Sequence, residues 1–149
     1  MKLKTILFYT VCIVTLGIIS STSMFAQAVG DYRSAGTGNW GTLATWQRWS
    51  GAAWNTPTAG QGYPGQNTST AAVTIQNGHT ITLNVSPANS IASLTIAGGG
   101  TATSLTIGAN TLTVNGAVTM NAGTGFGDNR TIAVTTGTFN AGSVGRCTP

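Results

Sequence analysis

Four tryptophans stand close together near the front of the chain, at Trp40, Trp46, Trp49 and Trp54. An indole has a flat apolar face and one polar edge, which suits stacking against the apolar face of a sugar ring. Trp46, Trp49 and Trp54 are therefore candidate glycan-stacking residues, with Asn and Gln amides nearby to bond hydroxyls. The same rings have a simpler use, because a large aromatic covers the open end of a β-stack efficiently.

The rest of the reactive inventory is sparse. General acid–base catalysis needs paired carboxylates or a poised histidine. The chain offers only Asp31, Asp128 and His79, and the two aspartates lie 97 residues apart. His79 follows Asn77-Gly78 and finishes a turn. One histidine and one terminal cysteine, Cys147, cannot make a zinc site. Asp128-Asn129-Arg130 invites comparison with polysaccharide lyases, which use acidic residues for calcium and a basic residue for proton abstraction. A calcium cage takes about six to eight oxygens, and a lone aspartate falls short of it. An Asp-Asn pair in a loop is ordinary turn chemistry. No catalytic residue, metal site or cofactor is expected, and the protein reads as non-enzymatic.

The elements that must position the tryptophans are announced by a repeat. Val73-Thr74-Ile75, Ile81-Thr82-Leu83, Leu94-Thr95-Ile96, Leu105-Thr106-Ile107, Leu112-Thr113-Val114 and Val118-Thr119-Met120 share one pattern, and Ile132-Ala133-Val134 varies it. Strand side chains alternate between faces, so each copy turns two apolar residues one way and one small residue the other. Between the copies lie breakers. Asn77-Gly78 and Asn115-Gly116 are tight-turn signals. Ser86-Pro87-Ala88-Asn89, Ala97-Gly98-Gly99-Gly100 and Asn121-Ala122-Gly123-Thr124-Gly125 read as loops.

Before the repeat comes a segment that belongs to export. Lys2 and Lys4 form a basic start, Ile6 to Ile19 is apolar, and Ala26-Gln27-Ala28 supplies small residues for cleavage after Ala28. The apolar run is too short to span a membrane comfortably. Residues 1–28 are expected to be a signal peptide, 29–70 a Trp/Gly-rich cap, and 71–149 the strand repeat. The expected location is secreted or at the cell surface, with membrane contact only through the export signal. The formal charge of the whole chain is +4, and both lysines fall in the signal peptide. What remains is Arg33, Arg48, Arg130 and Arg146 against Asp31 and Asp128, which is no basic patch for nucleic acid. Cys147 alone survives cleavage, so no intrachain disulfide is possible.

Two architectures suit many short strands. A sandwich of antiparallel hairpins is one; a parallel β-helix, or β-solenoid, is the other. Equivalent positions recur at solenoid spacing: Ile75 to Ile96 is 21 residues, Ile96 to Met120 is 24, and Ile107 to Val134 is 27. The reading adopted is all-β: a parallel β-solenoid with an N-terminal aromatic-rich cap. Its inward stack is Val73, Ile75, Ile81, Leu83, Leu94, Ile96, Leu105, Ile107, Leu112, Val114, Val118, Met120, Ile132, Val134 and Phe139. Each fully buried aliphatic contributes about 1.5–3 kcal/mol. No cap follows the last rung, so the rungs are expected to be incomplete at the C-terminus.

Gly38-Asn39-Trp40, Ala44-Thr45-Trp46, Gly51-Ala52-Ala53-Trp54, Pro64-Gly65 and Val73-Thr74-Ile75-Gln76-Asn77-Gly78-His79-Thr80-Ile81-Thr82-Leu83 form a connected pattern. It resembles the N-terminal segment of exported bacterial surface β-helix proteins of the adhesin-like kind. It is similar also to the extracellular domain with eight conserved glycines. The resemblance implies a secreted or cell-surface structural or adhesive role, with a polysaccharide or cell-surface glycan as the expected partner. A carbohydrate-binding module, or part of a polysaccharide-active enzyme, is the alternative function. Thr80-Ile81-Thr82 and Thr111-Leu112-Thr113 raise a third, an ice-binding solenoid.

Overall fold

A computed structural model of the chain describes residues 27–67, 72–125 and 128–146, so the expected signal peptide lies almost wholly outside the described residues. The described chain is all-β, with one short 3-10 turn at Leu43–Thr45. Its strands are β1 (Tyr32–Ser34), β2 (Gly38–Asn39), β3 (Trp46–Trp49), β4 (Trp54–Asn55), β5 (Ala72–Ile75), β6 (Thr80–Leu83), β7 (Ser93–Ile96), β8 (Thr103–Ile107), β9 (Thr111–Met120), β10 (Arg130–Val134) and β11 (Thr138–Arg146). Threonine and β-branched or leucine side chains dominate the strands from β5 onward, as a pleated, half-buried surface favours.

Two sheets result. The first has seven strands in the order β11-β9-β7-β5-β1-β3-β4, and the second has four in the order β10-β8-β6-β2. From β5 to β11 successive strands alternate between the two sheets; β5 and β6 pair in parallel with β1 and β2, and from β7 each strand pairs in parallel with the strand two steps earlier. The three sequence equivalences are register pairs: Ile75 with Ile96, Ile96 with Met120, and Ile107 with Val134. Only β3 and β4 depart from the pattern, adding an antiparallel edge beside β1.

The core fills the space between the sheets. Val73, Ile75, Ile81, Leu83, Leu94, Ile96, Leu105, Ile107, Leu112, Val114 and Val118 are buried, and Tyr32, Trp40, Trp46 and Ile91 join them. The inward stack needs correction at its last row. Met120, Ile132 and Phe139 are half-buried against the core, and Val134 is 45% exposed. For Ile132, Val134 and Phe139 the cause is position, because no described strand lies beyond β10 and β11 to cover them; Met120 sits at the end of β9.

One turn expectation also fails. Asn115-Gly116 is not a turn, because β9 runs straight through it. Asn115 N–H bonds the Ile91 carbonyl and Gly116 N–H bonds that of Ala92, both at 2.9 Å, so the pair belongs to a ladder. A Cβ on Gly116 would sit 2.5 Å from the Ala92 oxygen, which explains glycine there. Asn77-Gly78 does turn the chain, carrying it from β5 to β6 in the other sheet with Gly78 at φ 80°.

Candidate functional site

Strand alternation divides the tryptophans. On β3 the sequence Trp-Gln-Arg-Trp turns Trp46 inward, and Gln47 and Trp49 outward. The chain then reverses through Ser50-Gly51-Ala52-Ala53. Ser50 N–H bonds the Ala53 carbonyl at 3.0 Å, Ser50 Oγ accepts the Ala53 N–H at 3.1 Å, and Gly51 takes φ 99°. That reversal sets Trp54 directly opposite Trp49. Their ring centroids are 5.4 Å apart with planes tilted by 52°, and both rings are half-buried. Across β3, Arg33 of β1 stands opposite Gln47. Its guanidinium carbon lies 4.5 Å from the centre of the Trp54 ring, and its Nε donates to Gln47 Oε1 at 2.8 Å. Trp49, Trp54, Arg33 and Gln47 thus share one outer patch of the seven-stranded sheet.

Beyond Arg33 the same face carries only small side chains. Thr74, Thr95 and Thr119 follow Arg33 in register on β5, β7 and β9. Ala72 and Ser93 are paired beside them.

Trp46 does not belong to this patch. It has no exposed surface, and its indole N–H donates to the Trp40 carbonyl at 2.7 Å. Trp40 is equally buried, donates to the Pro64 carbonyl at 2.9 Å, and meets Trp46 edge-on at 4.9 Å. Both rings pack where β1 and β2 end the stack. Tyr32 joins them, and its hydroxyl donates to the Gly62 carbonyl at 2.9 Å. Burial pushes the Tyr32 pKa up, and the Arg48 charge and hydrogen bond beside it reverse only part of that rise.

Two other titratable side chains, His79 and Asp128, are hydrogen-bonded within the fold. His79 Nδ1 is hydrogen-bonded to Ser34 Oγ at 2.7 Å, while that oxygen accepts the Gln76 N–H at 2.8 Å. Ser34 is fully buried and His79 half-buried, so the pair ties β1 to the turn before β6. The Asp128 carboxylate accepts from Arg130, from Thr124 N–H at 2.9 Å and from Gly99 N–H at 3.3 Å. Burial alone would raise its pKa; the Arg130 hydrogen bond, the two N–H groups and the Arg130 charge reverse that and hold it below the usual aspartate value. The carboxylate accepts these three donors, and Arg130 is ion-paired to it. No group of three metal-ligating side chains occurs among the described residues.

The two threonine pairs lie on different rows. Thr80 and Thr82 face outward on β6 beside Ser104 and Thr106 of β8 in the four-stranded sheet. Thr111 and Thr113 lie on β9 beside Thr138 and Asn140 of β11.

Sequence reasoning missed Arg33 and Gln47 as partners of the tryptophans. Part of the signal was present: Trp46 and Trp49 are three apart, so a strand must point them to opposite faces, with Gln47 on the side of Trp49. The Arg33 contact depends on β1–β3 pairing, which no local pattern announces.

Comparison with protein-family models, curated proteins and solved structures finds no match to this chain.

Proposed function

We propose that the chain is a secreted or cell-surface β-solenoid with a structural and adhesive role and no enzymatic one. The register carries this reading. Strands alternate between two sheets, and each lies on its counterpart 21 to 27 residues earlier, as stacked rungs require. The buried Trp40 and Trp46, with β3 and β4, act as the N-terminal cap. Adhesion is assigned to the outer patch of Trp49, Trp54, Arg33 and Gln47. Export rests on the Lys2 to Ala28 pattern.

The same patch favours a second reading, a carbohydrate-binding module, because Trp49 and Trp54 are the tryptophans turned away from the core. One experiment addresses both. The chain is expressed with its leader, the exported product is sequenced from its N-terminus, and it is applied to a glycan array. A product beginning at Val29, with glycan binding that Trp49→Ala abolishes while the melting curve stays unchanged, supports the proposal. Retention in the cytoplasm removes the export reading. Absence of binding to any glycan removes the adhesive one.

A further inference from the structure

We propose that the outer face of the seven-stranded sheet binds a linear acidic polysaccharide, with sugar carboxylates held by Arg33 and a sugar ring stacked on Trp49. The inference rests on the reading of this face as a glycan contact and names the ligand class.

Charge is the first argument. Arg130 and Asp128 form the one ion pair among the described residues, so Arg33 has no carboxylate partner. Asp31 stands two positions before it on the chain. The Asp31 carboxylate is occupied by the backbone N–H groups of Ala28 at 2.7 Å and Ala72 at 3.0 Å. Arg33 is half-buried, and its guanidinium forms no ion pair among the described residues.

Pre-organisation is the second. The Trp54 ring holds the guanidinium over its face, and the Gln47 bond fixes its Nε edge. The terminal nitrogens have no hydrogen-bond acceptor within the described chain, and they form the fork that matches a carboxylate in a bidentate way. Little side-chain freedom remains to be lost on binding. Trp54 has Arg33 over its ring and Trp49 beside it, so Trp49 is the indole left to meet a sugar.

Shape is the third. From Arg33 the row Thr74, Thr95, Thr119 continues across β5, β7 and β9 in strict register. Strands are about 4.8 Å apart, so the row extends roughly 14 Å from Arg33. Its hydroxyls both donate and accept, as sugar hydroxyls do. Its flat profile, built from neutral side chains, leaves room for an extended chain.

The test uses galacturonan oligosaccharides of increasing length and the same oligosaccharides as methyl esters, titrated against the full chain. The free acids are expected to bind at least about tenfold more tightly than the esters. Added salt should reduce that difference. Arg33→Gln should abolish it, and Arg33→Lys should restore only part, since an ammonium lacks the fork. Thr95→Trp should weaken long oligomers while sparing the shortest. Equal, Trp49-dependent binding of acid and ester would overturn the acidic ligand class and leave the glycan-contact reading intact. Binding of neither would overturn both. A Thr95→Trp variant that binds long oligomers normally would overturn the extended track. If Arg33→Gln unfolds, the acid–ester contrast on the unaltered chain still decides.

Discussion

At the scale of single residues, burial and hydrogen bonding separate groups that look alike in sequence. Trp46 and Trp49 are neighbours, yet one is core and the other surface. Trp46→Ala removes a fully buried indole and leaves the Trp40 carbonyl without its donor. The expected loss is about 3–5 kcal/mol, read from the denaturant midpoint. Asp128 has its effect on pH. Its folded pKa lies below the ordinary value, so the unfolded chain binds its proton first as pH falls. Its contribution is complete above the unfolded pKa of about 3.9 and disappears as pH drops through the folded value. Urea midpoints measured from about pH 5 to pH 2 should therefore fall less steeply in Asp128→Asn than in the unaltered chain. A parallel pair of curves would remove Asp128 from the account. Asp128 read as a plain turn residue in sequence, because its partners Gly99 and Thr124 come from two different loops.

Elements were legible where the physics is local. Period-two alternation marks a strand from its own residues, and the recurrence of those strands at 21, 24 and 27 residues located their true register partners. Contact between non-local backbones left no such mark. Asn115-Gly116 carries a turn signature, yet glycine is needed there because the Ala92 carbonyl passes close by. Gly142 occupies the matching place on β11, against the Asn115 carbonyl. Gly116→Ala should accordingly destabilise the protein by about 1–3 kcal/mol, the range for forced overpacking, although alanine is ordinarily well tolerated in an extended segment. Gly100 has open space around its Cα and is the control: Gly100→Ala should stay within about 0.5 kcal/mol. Equal thermal shifts for the two variants would contradict the close approach.

Across the whole described chain, register-paired residues line up in columns from strand to strand, and stability should vary along them. Each row touches only the rows on either side, so its protection depends on being covered twice. The column Leu94, Val118, Val144 displays the change: the first two are fully buried and the last is 66% exposed. Ile107 and Val134 repeat it in the other sheet, at 0% and 45%. Burial, and with it the hydrophobic contribution, falls toward β10 and β11 although the residue types barely change. The apolar-Thr-apolar repeat could not reveal this gradient, since every copy looks equally core-like in sequence. Leu94→Ala should cost about 2–5 kcal/mol, while Val144→Ala should remain within about 0.5 kcal/mol. Amide hydrogen exchange gives the same gradient without mutation. Protection should be greatest on β7 and β8, which have strands on both sides, and least on β10 and β11. Uniform protection across all four strands would mean that the described rows open together, and the nearest-neighbour picture of this stack would fail.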